Sequence, residues 1–203
     1  MSISKPDISI PDFWNEKYIT GEHGWDLNGP TPIFQNWAKS IENKSEIKIC
    51  IPGCGYGHDL VYLTQAGFDV YGFDFSSEAV NYIKNKNKNI KIYCLDFFNL
   101  DKFYYNYFDY ILEYTFYCAI NPSYRIKYVN KCYDLLKTKG KIIAIMLPFD
   151  KKRPKDEGPP YSVDKEEIKN NFSSKFNLIE MKKSVHSIKP RKDIELYFEY
   201  EKK

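Results

Sequence analysis

Short apolar runs and amphipathic stretches alternate along most of the chain. Runs rich in β-branched and aromatic residues, typical of strands buried on both faces, occupy residues 47–51, 68–73, 90–95, 108–113 and 140–147. Stretches with apolar residues three and four apart, typical of helices, occupy residues 60–66, 76–84 and 125–136. Because a helix between two strands carries the chain back to the same edge of the sheet, this alternation predicts parallel pairing and a three-layer α/β sandwich.

The C-terminal part follows a different pattern. A loop rich in Pro and Gly at 148–161 precedes a predicted helix at 164–172. Two alternating runs, 176–183 and 194–201, then follow with no helix between them, which predicts an antiparallel hairpin. The predicted fold is therefore a Rossmann-like, mostly parallel seven-stranded sheet that ends in an antiparallel C-terminal hairpin.

The N-terminal part has its own organisation. Residues 1–12 show no periodicity and predict a loose arm, after which Asp12 is a candidate N-cap of a helix. Trp14 and Tyr18 are four residues apart and share one face of that helix. A turn rich in Gly and Pro leads to a second predicted helix at 33–41. We expect one domain over residues 1–203, made of an N-terminal arm with helices (1–46) and a Rossmann-like core (47–203).

The stretch I-P-G-C-G-Y-G-H-D at 51–59 joins the first strand to the first helix of the core. Glycines at the end of a strand permit positive φ and allow a ligand to approach the backbone closely, which predicts a nucleotide-like ligand at Gly53 and Gly55. The dinucleotide fingerprint G-x-G-x-x-G would require glycine at position 58, which is His58. The loop therefore departs from the pattern of NAD-binding proteins.

Two acidic residues follow the next two strands. Asp74 comes about 20 residues after the first glycine, the position from which a carboxylate accepts hydrogen bonds from ribose hydroxyls. Asp96 ends the third strand, where an adenine amino group is within reach. Asp74 suits NAD and S-adenosylmethionine alike, but Asp96 and the C-terminal hairpin favour S-adenosylmethionine. An NAD-dependent oxidoreductase remains the alternative.

Composition narrows the class of partner. The 203 residues include 30 Lys and Arg against 27 Asp and Glu, short of the basic excess of a nucleic-acid binder, so we expect a small-molecule substrate and no nucleic acid. Five cysteines without C-x-x-C spacing argue against a disulfide framework and a metal site. The longest aliphatic run, 142–147, is too short to span a bilayer. We expect a cytoplasmic monomer without membrane contact.

Several ordered motifs make the chain similar to a known family. They are W-x(10)-W-D beginning at Trp14, I-P-G-C-G-Y-G-H-D, G-F-D-F-S-S-E-A-V, L-D-F-F, Y-T-F-Y-C-A-I-N-P-S-Y-R, G-P-P-Y and I-K-P-R-K. From about Phe13 to the C-terminus, the sequence resembles the thiopurine, thiol and halide methyltransferases, a class I family that depends on S-adenosylmethionine.

The resemblance implies a set of site residues. Those on the cofactor side are Trp14, Tyr18, Trp25, Gly53, Gly55, Asp74, Phe75, Asp96, Phe97 and Tyr114. Arg125 and Arg191 match arginines that the family places on the substrate side. Two positions depart from the family pattern, because Glu113 replaces a frequent Asp and Tyr18 replaces a frequent Trp.

The implied activity is methyl transfer from S-adenosylmethionine to a small thiol, a thiopurine-like molecule or another soft nucleophile, with S-adenosylhomocysteine as the product. Halides, thiocyanate and selenium or tellurium species are alternative acceptors. A more remote alternative is that the chain is a non-catalytic protein that binds the cofactor. No N-P-P-Y motif follows the fourth strand, which disfavours a nucleic-acid methyltransferase. Asp26, Glu113 and His186 are possible proton acceptors, and the sequence selects none of them.

Overall fold

A seven-stranded sheet forms the centre of the computed structural model, which describes residues 7–147, 154, 157–184 and 186–203. The strands are β1 Lys48–Pro52, β2 Asp69–Asp74, β3 Ile92–Cys94, β4 Phe108–Tyr114, β5 Leu136–Met146, β6 Phe176–Lys183 and β7 Leu196–Lys202. Their order is β3-β2-β1-β4-β5-β7-β6. Strands β1 to β5 pair in parallel, and β7 is antiparallel to both neighbours. The predicted sheet and its C-terminal hairpin are confirmed.

Helices cover the sheet on both faces. They are α1 Pro11–Thr20, α2 Pro32–Lys39, α3 His58–Gln65, α4 Ser77–Lys86, α5 Phe116–Ala119, α6 Arg125–Leu135 and α7 Lys165–Ser173. Apolar residues of α2, α3 and α4 form one core with one face of the sheet, and those of α5, α6 and α7 form a second core with the other. The three-layer prediction is therefore confirmed.

Strand β1 shows why its sequence is apolar at successive positions. Ile49 and Ile51 point into the core under α2 and α3, whereas Cys50 points into the opposite core. All three side chains are buried because neighbouring strands flank β1 and helices cover both faces. The strand ends at Pro52, and the glycine loop begins there.

Some element boundaries differ from the predicted ones. Helix α1 begins at Pro11, so Asp12 lies in its first turn and is not the N-cap. Proline is favoured at this position because its missing N–H would lack a helical partner there. Strand β5 begins at Leu136, directly after α6, whereas the apolar pattern predicted a start at Gly140. The polar residues between them continue the strand beyond its buried part.

Only some of the segments that follow the strands, at the carboxyl edge of the sheet, are among the described residues. Ser76 caps α4, because its hydroxyl accepts a hydrogen bond from the backbone N–H of Ala79. Most of the predicted loop at 148–161 lies outside the described residues. Among the helices that are described, none is long and apolar enough to cross a bilayer.

Candidate functional site

The glycine loop lies at the carboxyl ends of the parallel strands. Gly53 and Gly55 adopt φ values of 56° and 52°, a conformation in which a side chain would be strained. The loop follows β1, and β4 lies on the other side of the crevice, where the direction of strand order changes. Open α/β sheets bind their ligands at this switch point.

Asp74 connects the end of β2 to the glycine loop. Its Oδ2 accepts a hydrogen bond from Gly55 N at 2.9 Å, and its Oδ1 accepts one from Ser76 N at 2.9 Å. Burial raises the pKa of Asp74 to about 6, and the two backbone donors oppose that rise. Each carboxylate oxygen keeps a further lone pair for a ligand hydroxyl.

Asp96 lies at the same edge of the sheet, after the neighbouring strand β3. Its Oδ1 accepts from Phe98 N at 2.9 Å and its Oδ2 from Asn99 Nδ2 at 2.7 Å. Phe97 is buried and packs against Phe116 with ring centroids 5.5 Å apart. Asp74, the partly buried Phe75, Asp96 and Phe97 are therefore brought to adjoining strand ends, as the sequence predicts.

Helix α1 and the segment after it place an aromatic cluster against the glycine loop. The rings of Trp14 and Trp25 are 5.6 Å apart, those of Tyr18 and Trp25 are 5.7 Å apart, and those of Tyr18 and Tyr56 are 5.0 Å apart. All four residues are partly exposed. We call Trp14, Tyr18, Trp25 and Tyr56 the aromatic cover.

Polar contacts attach the aromatic cover to the core. The Ser76 hydroxyl donates to Asn15 Oδ1 at 2.7 Å, which joins α1 to the start of α4. A Cβ atom on Gly55 would lie 2.9 Å from the Tyr18 hydroxyl oxygen. Burial and the nearby Asp74 carboxylate raise the pKa of Tyr18 well above its usual value. The glycine is needed here because the cover lies directly on the loop.

The same residues fit S-adenosylmethionine chemically. Two carboxylates lie at adjoining strand ends, within a site whose backbone carries no side chain at Gly53 or Gly55. The cover supplies indole and phenol faces, which attract a cation such as a sulfonium by about 0.5–2 kcal/mol.

Arg191 connects the aromatic cover to the end of β4. Its Nη2 donates to the backbone oxygens of Gly24 at 3.1 Å and Trp25 at 2.9 Å, and its Nη1 donates to the Tyr114 hydroxyl. Its guanidinium also lies over the Tyr114 ring, 5.3 Å from the centroid. The Tyr114 hydroxyl in turn donates to Glu195 Oε1 at 2.8 Å. Arg191 is 8% exposed, so this network is inside the protein.

Arg125 lies elsewhere, between α6 and α7. Its Nη1 donates to Glu167 Oε1 at 2.8 Å, and its Nη2 donates to Ser162 O at 3.0 Å. The guanidinium covers the Tyr117 ring at 4.9 Å. The cleft beside the glycine loop, as far as the described residues form it, is lined by Tyr114 and Trp25 but by neither arginine; Arg191 reaches it through its contacts with those two residues, and Arg125 contacts neither. The two predicted arginines are therefore not brought together.

The other candidate proton acceptors have different environments. Glu113 is fully buried and accepts from Tyr117 N at 2.8 Å, so it holds the start of α5. His186 is exposed. Asp26 lines the cleft, and so do Tyr56 and His58, which sequence reasoning did not assign to the site. The sequence signal for Tyr56 and His58 is their position inside the glycine loop, where residues lie next to the ligand.

The fold has solved counterparts. A structure of magnesium protoporphyrin IX methyltransferase from Synechocystis PCC 6803 with bound SAM superposes with a TM-score of 0.72 at 16% identity, and the alignment covers 100% of both chains. The sheet order and the position of the glycine loop define a class I S-adenosylmethionine-dependent methyltransferase fold.

Sequence comparison narrows the class to a family. The sequence profile of the family described as "Thiopurine S-methyltransferase (TPMT)" matches residues 9–196. "Probable thiol methyltransferase 2" of Arabidopsis thaliana is 31% identical over 191 residues, which cover 90% of this chain and 81% of that protein. "Thiocyanate methyltransferase 1" of the same plant is 30% identical over 178 residues, covering 83% and 74%. The chain belongs to the thiopurine S-methyltransferase family, and it is an S-adenosylmethionine-dependent methyltransferase.

Proposed function

We propose that this enzyme transfers the methyl group of S-adenosylmethionine to the sulfur of a small anionic acceptor, a thiolate in the first place. The observation that carries the proposal is the environment of Arg191. This buried cation bonds only neutral oxygens among the described residues, those of Tyr114, Gly24 and Trp25. A buried charge is costly unless an opposite charge compensates it, and the buried Glu195 carboxylate reaches Arg191 only through the Tyr114 hydroxyl, so the site favours an anion in direct contact with the guanidinium.

The chemistry of sulfur acceptors agrees with such a site. The thiolate is the nucleophilic form of a thiol, and a nearby guanidinium lowers the thiol pKa. Arg191 uses three N–H groups in the hydrogen bonds described above, and a guanidinium has five. The remaining two can hold the acceptor sulfur beside the end of β4.

For the cofactor, we propose roles that follow from position. Asp74 accepts from the ribose hydroxyls, and Asp96 accepts from the adenine amino group beside Phe75 and Phe97. Gly53 and Gly55 allow the cofactor to contact the protein backbone of the glycine loop, and Tyr114 lies beside them. Trp14, Tyr18 and Trp25 cover the sulfonium.

The bound cofactor supplies an activated methyl group, so the protein needs to align the reactants and exclude water. Alignment of this kind contributes up to about 7–11 kcal/mol in the best intramolecular cases. The aromatic cover excludes water. Arg191 holds the acceptor and also positions the cover through its hydrogen bonds to Gly24 and Trp25. For Arg125 we propose a structural role, because its donors reach Glu167 and Ser162.

The test is a panel of acceptors incubated with the purified enzyme and methyl-labelled S-adenosylmethionine. The panel contains an alkyl thiol, an aryl thiol, a thiopurine, thiocyanate, iodide and a reduced selenium species. We expect labelled thioether from at least one thiol, with a rate that rises as pH approaches the thiol pKa.

The other acceptors decide between alternatives. Transfer to iodide or selenium with none to any sulfur compound would contradict the proposal. The absence of transfer to every member, with cofactor binding intact, would favour a non-catalytic cofactor-binding protein.

A further inference from the structure

A carboxylate and an imidazole face each other across the cleft beside the glycine loop. His58 Nε2, at the start of α3, lies 2.9 Å from Oδ1 of Asp26, which follows Trp25. The Asp26 side chain is only 8% exposed. None of the roles proposed above uses either residue.

The two groups lie at ion-pair distance, but no aligned hydrogen bond joins them. His58 Nε2 is buried and makes no aligned hydrogen bond to any of the described residues, so the 2.9 Å separation is an ion-pair distance only. Asp26 Oδ1 accepts from Asn28 N at 2.9 Å, and its Oδ2 is 4.0 Å from His23 Nδ1. A buried polar atom without a partner is costly, and a bound ligand can supply the missing partner.

The neighbouring carboxylate of Asp59 provides a contrast. It lines the same cleft, but its Oδ1 accepts from Thr31 N at 2.6 Å and its Oδ2 from the Thr31 hydroxyl at 2.8 Å. Asp59 therefore fastens the start of α2 to α3. Asp26 and His58 retain the capacity to bind a ligand.

The sheet order indicates which part of the cofactor comes here. Asp74 ends β2 and Asp96 follows β3, and they would hold the adenosine end. The cleft with Asp26 and His58 lies on the other side of the glycine loop, next to Tyr114 at the end of β4. The amino-acid end of S-adenosylmethionine, which carries an α-ammonium and an α-carboxylate, would extend in that direction.

We infer that Asp26 and His58 bind the amino-acid end of the cofactor. The Asp26 carboxylate accepts from the α-ammonium group, and the His58 imidazole donates to the α-carboxylate group. The inference rests on the cofactor and on the proposed position of its adenosine. It does not depend on the acceptor that is methylated.

Calorimetry with two ligands tests this inference. S-adenosylhomocysteine has the amino-acid end, whereas 5′-methylthioadenosine has the same adenosine and sulfur without it. The wild-type protein should bind the first ligand more tightly. Asp26→Asn and His58→Gln should each weaken S-adenosylhomocysteine binding about 10-fold or more, the loss expected for a hydrogen bond to a charged group. Binding of 5′-methylthioadenosine should change less than about twofold.

Asp96→Asn is the matched control, because both ligands contain adenine and should be weakened alike. Equal losses for both ligands in Asp26→Asn and His58→Gln would overturn the inference and indicate a structural role in holding the cover. Unchanged binding of S-adenosylhomocysteine would also overturn it, and a loss of turnover with a shifted pH profile would then indicate a proton acceptor. Binding is measured without acceptor, so a failed acceptor panel leaves the result interpretable.

Discussion

At the scale of single residues, two arginines with the same predicted role have different environments. Arg191 contacts the aromatic cover and Tyr114, whereas Arg125 contacts Glu167 and Ser162 beneath α7. Both are buried, so burial did not distinguish them. The hydrogen-bond partners of the two arginines distinguish them. These partners come from segments distant in sequence, so a motif around each arginine cannot reveal them.

Replacing Arg191 tests its role in holding both the acceptor and the cover. We expect Arg191→Ala to lower kcat/KM for a thiol about 10- to 100-fold, because a hydrogen bond to a charged group contributes about 1.5–3 kcal/mol. The adjacent, exposed Lys192→Ala is the control and should retain wild-type kinetics. Equal effects of the two substitutions would indicate general electrostatics and argue against a specific contact.

Arg125→Ala should mainly affect stability. The substitution removes one partner of an ion pair in which Arg125 is 2% exposed and Glu167 28% exposed, and it also leaves Ser162 O without its donor. We expect the free energy of unfolding to fall by about 3 kcal/mol, measured by urea denaturation. A variant of normal stability with lost thiol turnover would instead support the substrate role that the family resemblance implies.

Glu113 should make stability depend on pH. Burial raises its pKa to about 7, while the backbone N–H groups of Tyr117 and Phe116 oppose the rise. The folded state therefore holds a proton that the unfolded state releases near pH 4.5, so stability falls as pH rises from about 4.5 to 7. Glu113→Gln mimics the protonated form and should reduce the loss between pH 5 and pH 8 by about 2.5 kcal/mol.

Thermal denaturation across this pH range measures the effect. Asp59 and Asp74, whose pKa values burial raises to about 6, contribute a decrease of the same sign in both proteins. The difference between wild type and Glu113→Gln therefore isolates Glu113. Identical pH profiles would show that Glu113 does not titrate in this range.

At the scale of elements, hydrophobic patterns located every strand and most helices. Strands buried on both faces are continuous apolar runs, whereas the two strands of the C-terminal hairpin are alternating runs. The hydrophobic pattern gave wrong boundaries where an element begins or ends for a reason other than burial of apolar side chains. The start of α1 was set by Pro11 instead of Asp12, and the first part of β5 is polar. Short α5, only four residues long, has no periodicity to detect.

The attachment of α1 to α4 gives a prediction about the aromatic cover. Asn15→Ala removes the acceptor of the Ser76 hydroxyl, while Ser76 still caps α4. We expect about fivefold weaker binding of S-adenosylhomocysteine, since a neutral hydrogen bond contributes about 1 kcal/mol. Trypsin should also cleave faster after Lys17. Asn36→Ala, on the exposed side of α2, should leave both measurements unchanged.

At the scale of the whole molecule, the sequence predicted the sheet and the residues along its carboxyl edge. Asp74 and Asp96 could be located because parallel strands end at one edge, whatever the distance between them in sequence. The cleft of Asp26 and His58 could not be found this way. It depends on how the segment before α2 folds over the sheet, and turns rich in Gly and Pro carry no periodicity.

Ligand stabilisation tests the cofactor at this scale. S-adenosylhomocysteine at about 100 times its Kd should add about 2.7 kcal/mol to the free energy of unfolding. For a protein of this size that corresponds to a rise in Tm of about 5–10 °C. NAD⁺ at the same concentration should produce no rise, because His58 replaces the third glycine of its fingerprint. An equal rise with NAD⁺ would reopen the oxidoreductase alternative.

The position of β7 between β5 and β6 has a consequence for biosynthesis. As the ribosome synthesises the chain, β6 emerges before the strand that separates it from β5, so it has no partner until Leu196–Lys202 has left the exit tunnel. Arg191 lies only five residues before the start of β7, so its contacts with Gly24 and Trp25 also form late. A nascent chain that lacks β7 would therefore leave the edge of β5 and the whole of β6 unpaired, and unpaired strand edges promote aggregation.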